Sequence, residues 1–204
     1  MLDISDRLYY NYNRVGGIDM DIKVGVSNHH VHLTESDLYT LFGEGYELSV
    51  KRELLQKGQY AAHETVTLER SGKRLENVRI IGPCRSYTQV ELLECDNEYF
   101  GINAPIRDSG DLKGSEWVNI IGPVGIVHAL ESTIIADRHI HMSESDLRRF
   151  GVEKGQIVNV EYENGVVLND VHIKSDPTCV LELHMNKDEA QRLGIETGMG
   201  VRIC

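Results

Sequence analysis

The sequence predicts a mainly β protein with short helices (α+β), built as two tandem, pseudo-symmetric, small closed β-barrels capped by those helices. Three observations lead there. A ten-residue motif occurs twice, four helical stretches end in glycine at two per half, and short β-rich runs fill the space between. Short strands at this spacing favour closed barrels over one open sheet.

The motif reads His29-His30-Val31-His32-Leu33-Thr34-Glu35-Ser36-Asp37-Leu38 in the first half. In the second it reads Arg138-His139-Ile140-His141-Met142-Ser143-Glu144-Ser145-Asp146-Leu147, aligned without a gap at an offset of 109 residues. Each copy has the pattern strand, turn, short helix. The HVHL and HIHM stretches carry the strand period of two. Thr34 and Ser143 stand as helix N-caps with an aspartate three residues on, a weaker capping box because Asp replaces the usual Glu or Gln.

Phe42-Gly43, Phe100-Gly101, Phe150-Gly151 and Leu193-Gly194 each end a helical stretch, and glycine suits the left-handed position that closes a helix. A turn and a β-rich run follow, as in GVEKGQIVNVEY and GIETGMGVRI. Leu48-Ser49-Val50, Thr65-Val66-Thr67-Leu68 and Val78-Arg79-Ile80-Ile81 supply further strands. The expected organisation is a tail at 1–20, a first barrel half at 21–130 and a second at 131–204. The boundary is expected near 125–132, with exchange of a strand between the halves left open. In the tail, Ile4, Leu8, Tyr12 and Val15 form one helical stripe and Gly16-Gly17 breaks it from the body. That stripe reads either as a frayed or packed N-terminal helix or as a detachable segment that docks on a partner.

The chain carries 32 acidic against 21 basic residues, a formal net charge of −11. Such a surface repels phosphate backbones, so nucleic acid is not an expected partner. An anionic substrate would need a local basic pocket. No apolar run approaches the ~20 residues of a membrane span. The N-terminus lacks the basic-then-apolar pattern of a secretory signal, so the expected location is the cytoplasm. Cys84, Cys95, Cys179 and Cys204 form no CxxC pair and read as free thiols.

The repeated His-x-His is the chemical signal. Residues i and i+2 of a strand share a face, so His30 converges with His32 and His139 with His141. Imidazole is a common ligand of zinc-like metals. Ten residues before Gly101 and Gly194 stand Glu91 and His184, equivalent positions that nominate a third ligand for each set. The expected sites are His30, His32, Glu91 and His139, His141, His184, holding zinc. Three ligands leave an open position, as in catalytic rather than structural zinc. Spacing leaves open whether the ions share one site, ~4 Å apart, or occupy two. His63, His128 and His172 break the repeat and read as ordinary residues.

Arg85 lies six residues before Glu91 and would start that ligand's strand if 86–91 is extended. Its guanidinium suits phosphate, though a surface salt bridge is the plainer reading. Ser27, Asn28 and His29 immediately precede the first ligand pair. Lys51 and Arg52 end a strand and could meet a polyphosphate. Gln191 lies seven residues after His184, two helical turns along one face. Ser109 sits in the polar loop Arg107-Asp108-Ser109-Gly110-Asp111, a binding loop or a simple turn.

VGVSNHHVHLTESDL, LFGEGYELSVKR, the segment from GPCR to QVEL, APIRDSGDL, RHIHMSESDL and LELHMNKDEA together resemble the phosphotransacylases of propanediol-utilisation type, the phosphate propanoyltransferases. The likeness runs from about residue 22 to the end. It implies transfer of a short acyl group, propanoyl or acetyl, between coenzyme A and phosphate. It implies two zinc ions per chain on the same six residues, with Arg85 the catalytic, phosphate-binding residue. Ser27, Asn28, His29, Lys51, Arg52, Ser109 and Gln191 then become candidate CoA contacts. Direct attack of Arg-held phosphate on the thioester, assisted by zinc, is the expected mechanism, because no Ser-His-Asp or Cys-His arrangement is visible in the sequence. Some members carry an N-terminal peptide that directs them into bacterial microcompartments. The tail looks like one, which implies docking on shell or cargo proteins through residues 1–15. A homo-oligomer is a further expected partner state. The rival readings are a zinc-dependent thioester or ester hydrolase on the same scaffold and a module that uses zinc only for folding.

Overall fold

The structure, a computed structural model, describes residues 21–204. The amphipathic stripe of the tail lies outside the described residues. In chain order the strands of the first half are β1 (Ile22–Ser27), β2 (His30–His32), β3 (Val50–Glu53), β4 (Tyr60–Arg70), β5 (Lys73–Gly82), β6 (Gln89–Glu91), β7 (Ile106–Arg107) and β8 (Glu116–Ile121). Then come β9 (Ile126–Ala136), β10 (His139–Met142), β11 (Ile157–Tyr162), β12 (Val167–Ser175), β13 (Glu182–Asn186) and β14 (Gly200–Ile203). The helices are α1 (Glu35–Phe42), α2 (Glu94–Phe100), α3 (Glu144–Phe150) and α4 (Lys187–Leu193).

The helices form where the sequence places caps. Thr34 Oγ1 accepts from Asp37 N at 3.1 Å to start α1. Ser143 Oγ accepts from Asp146 N at 3.2 Å, and Asp146 returns a bond from Ser143 N at 2.9 Å, so the aspartate version of the capping box closes. Gly101, Gly151 and Gly194 end their helices left-handed, at φ 70°, 66° and 66°. Gly43 differs, ending α1 at φ 109°, ψ 155°. Leu48 and Ser49 also fall outside a strand, since β3 begins at Val50.

Two six-strand barrels result. The first closes in the order β4–β5–β2–β6–β9–β8 and back to β4. β3 extends its β4 edge and β7 runs beside β9. The second closes as β1–β13–β10–β12–β11–β14. Each has its own apolar core, one around Val31, Leu41, Leu68, Ile80 and Ile120, the other around Val24, Ile140, Tyr162, Ile173 and Leu183.

The halves trade their first strands. β1 precedes the first barrel in sequence yet pairs with β13 and β14 of the second, and it buries Ile22 and Val24 in that core. β9 precedes the second barrel yet pairs with β6 and β8 of the first. The two strands are repeat equivalents, since Gly25 stands opposite His184 and Ile134 opposite Glu91. The expected boundary near 125–132 therefore falls inside β9, which runs through Ala136. Only two residues link each exchanged strand to its His-x-His strand, Asn28-His29 and Asp137-Arg138. A link that short could close a hairpin. Here it carries the chain from one barrel to the other, so both His-x-His strands begin where the barrels meet.

Candidate metal centre between the barrels

Register brings each ligand set together. β2 and β6 are antiparallel with His30 opposite Glu91, and β10 and β13 are antiparallel with His139 opposite His184. Period-two alternation then turns His32 and His141 to the same side as their partners. In each trio the candidate ligand atoms lie within 4.8 Å of one another.

Backbone carbonyls orient the imidazoles of His30, His32 and His139. His30 Nδ1 meets Asn28 O at 2.8 Å and His139 Nδ1 meets Asp137 O at 2.7 Å, so the two crossover links supply equivalent carbonyls. His32 Nδ1 meets Ile81 O at 3.2 Å. A carbonyl only accepts, so these nitrogens carry the proton and the Nε2 lone pairs face inward. His30 Nε2 lies 3.2 Å from His32 Nε2, and His139 Nε2 lies 3.1 Å from His141 Nε2. Glu91 adds carboxylate oxygens 3.4 Å from His30 Nε2 and 3.6 Å from His32 Nε2. Lone pairs converging at such distances repel unless a cation sits among them. This is the outer-layer pattern that orients histidines toward a metal.

Burial keeps His32, His139 and His141 neutral. Burial, with nearby His30 and Arg85, brings His32 down to about 4. Burial, with His184 and Lys174, brings His141 down to about 4. Burial and Lys174 push His139 well below its usual range. Burial drives the Glu91 carboxyl up, but His30, His32 and Arg85 outweigh it and hold it well below the ordinary value. A neutral imidazole and an ionised carboxylate are the forms that bind a metal.

Both trios line one cleft of about 1090 Å³ between the barrels. Ser27, Asn28, His29, Lys51, Arg52, Arg85 and Ser109 line it too. Gln191 does not. It lines a separate surface recess with Glu94, Cys95, Glu98, Asp188 and Arg192. The expectation counted helical turns from His184, but His184 is on strand β13 and α4 starts only at Lys187. Arg85 also differs from its expected setting. β6 covers only Gln89–Glu91, and Arg85 sits in the preceding loop with its N–H donated to Leu33 O at 2.8 Å. Its Nη1 reaches Ser109 Oγ at 3.4 Å.

Several residues in or just behind the cleft lining were not nominated from sequence. Gln89 Nε2 donates to Glu91 Oε1 at 2.7 Å and to Ser109 Oγ at 2.8 Å, joining ligand strand to loop. Lys174 pairs with Asp108 at 3.0 Å across the barrels. Glu182 lies two residues before His184, as Gln89 lies two before Glu91. The period of two would have flagged both. Lys174 carried no such signal, because the β10–β12 pairing that brings it beside His141 is long-range. The structure also creates a Cys–His proximity unseen in sequence, with Cys179 Sγ 3.4 Å from His141 Nδ1. Burial and Asp176 push that thiol up to about 11, so it stays protonated and is a poor nucleophile.

Two closed barrels share one cleft lined by paired His-x-His groups that could hold metal, and the comparisons place a chain of this build in a known enzyme family. A family model described as phosphate propanoyltransferase matches residues 23–196. A phosphate propanoyltransferase of Thermotoga maritima is 48% identical over 180 residues, covering 87% of this chain and 86% of the relative. One from Lachnoclostridium phytofermentans is 44% identical, covering 89% and 86%, and one from Salmonella typhimurium is 42% identical, covering 86% and 84%. The chain belongs to the phosphate propanoyltransferase family, and so to the acyltransferases.

Proposed function

We propose that the cleft interconverts a short acyl-CoA plus phosphate with the acyl phosphate plus CoA, the acyl group being propanoyl or acetyl. The observation that carries this reading is one cleft lined by both His-x-His trios and by Arg85. Lys51, Arg52, Arg79 and Lys174 line it as well, so with Arg85 its cations slightly outnumber the carboxylates of Glu53, Glu91, Asp137 and Glu182, in a chain of net charge −11. Cations gathered there can offset the charge of an anionic substrate. The relatives' shared name supplies the substrate class.

The donor sets fit two divalent metals, with zinc favoured by imidazole-rich tetrahedral sites. Bound there, zinc would supply Lewis-acid polarisation of a carbonyl or phosphoryl oxygen. The chain's own residues do the rest. Arg85 offers a planar fork that matches two phosphate oxygens. Hydrogen phosphate is already a nucleophile, so it needs aiming more than deprotonation. Holding it against the thioester carbon can remove about 7–11 kcal/mol of barrier at best. Its oxygen forms the new C–O bond, the C–S bond breaks, and the phosphate proton ends on the CoA thiol. The protonated Cys179 favours this direct attack over an acyl-enzyme. For residues 1–15 the sequence supports docking on shell or cargo proteins of a microcompartment.

The test is CoA release from acetyl-, propanoyl- and butanoyl-CoA, with and without phosphate. The expected result is release that depends on phosphate, with acyl phosphate formed in equal amount. Equal release without phosphate would mean hydrolysis and sink the reading. Acyl preference is expected to be shallow, since one methylene is worth ~1–3 kcal/mol.

A further inference from the structure

The two trios are not supported in the same way. In the first, Gln89 stands two residues before Glu91 and donates to its carboxylate at 2.7 Å. At the equivalent place in the second stands Glu182, whose Oε2 lies 2.5 Å from His184 Nε2. Each strand thus carries one carboxylate. In β6 it belongs to the trio, and in β13 it stands beside the trio, whose close group contains only the three imidazoles.

Glu182 is itself held from the other barrel. Gln56, in the β3–β4 connection, donates Nε2 to Glu182 Oε2 at 3.2 Å. The same amide pairs with the backbone of Val180, donating to its carbonyl at 2.9 Å and accepting from its N–H at 3.0 Å. Gln56 is only 5% exposed although it lies in a connection, and its side chain is committed to the second barrel. The exchanged strand leaves the space. Gly25 stands opposite His184, and a Cβ on it would come within 2.6 Å of Glu182 Oε1.

We infer that Glu182 is the positioning carboxylate of the second metal site, and that Gln56 locks it from across the barrel boundary. This rests on the metal reading above. His184 donates Nε2–H to Glu182, which fixes its ring and leaves Nδ1 as the nitrogen that would face a metal. His139 and His141 would offer Nε2. The second site is therefore a mixed set of nitrogens held by a carboxylate–histidine pair. The segment that carries Lys51 and Arg52 is tied through Gln56 to the same site.

The test uses the full chain with Glu182→Ala, Glu182→Gln and Gln56→Ala. Zinc affinity is read by competition with a chromophoric chelator, and coordination by the visible spectrum after cobalt loading. Glu182→Ala is expected to weaken one of the two zinc equivalents by ~10–100-fold and leave the other unchanged. Gln56→Ala weakens the same equivalent by a smaller factor. Glu182→Gln, which still accepts the N–H, keeps most of the affinity. Unchanged affinities in all three variants would overturn the inference. So would cobalt bands in Glu182→Ala showing a lost ligand, because Glu182 would then coordinate directly. A wild-type chain that binds no zinc would overturn the metal reading itself. Should Glu182→Ala fail to fold, the other two variants decide the matter.

Discussion

Val24→Ala tests the exchange of strands between the barrels. Val24 is 1% exposed and belongs to the apolar core of the second barrel, although it precedes the first in sequence. The substitution removes two buried methyl groups, about 1.6 kcal/mol of transfer free energy at roughly 0.8 kcal/mol per carbon. The cavity left behind raises the loss to about 2–3 kcal/mol. That corresponds to roughly 30- to 140-fold in an opening equilibrium. Hydrogen exchange followed by peptide mass spectrometry locates it. Residues 157–175 and 182–186 should exchange faster by that factor, and residues 60–82 and 116–121 by less than about threefold. Val66→Ala, in the first core and 3% exposed, should give the reverse pattern. Faster exchange at 60–82 with 157–175 unchanged in Val24→Ala would refute the reasoning. Equal loss in both regions would show that the barrels open as one unit.

Arg85→Ala should lower kcat/KM by at least ~100-fold, since a charged hydrogen bond to an anion is worth ~1.5–3 kcal/mol and Arg85 can form two. Arg85→Lys should recover only part of this, because an ammonium lacks the fork. Zinc content should be unchanged in both, and near wild-type kinetics would remove the phosphate role. Gly125→Ala should destabilise the chain by about 1–3 kcal/mol in urea unfolding with zinc content intact. A Cβ there would meet the Thr40 carbonyl oxygen at 2.3 Å, where the β8–β9 turn packs on the end of α1. A neutral result would show that the turn can shift away at no cost.

The residues that gather in the candidate site were largely readable. His30, His32, His139 and His141 announce themselves because strand periodicity is local, and a duplication repeats it at one offset. Glu91 and His184 followed from their equal distance to the glycines that end α2 and α4. Those glycines and the caps at Thr34 and Ser143 act through neighbours a few residues away, so the chain states them directly. Gln191 was misplaced for the complementary reason. A count of helical turns holds only within one helix, and a strand-to-helix junction intervened.

Sequence alone therefore determined the local chemistry, meaning which side chains share a strand face, where helices start and stop, and that two like sets exist. Tertiary structure decided what those sets face. The links at Asn28-His29 and Asp137-Arg138 could each have closed a hairpin within one barrel. Long-range pairing of β1 with β13 and of β9 with β6 carries them across instead. That pairing places both trios, Arg85 and the Gln56–Glu182 contact around one cleft. Such contacts join residues from 43 positions apart, as Val90 and Thr133, to 159 apart, as Val24 and Leu183, and no periodicity within the chain records them.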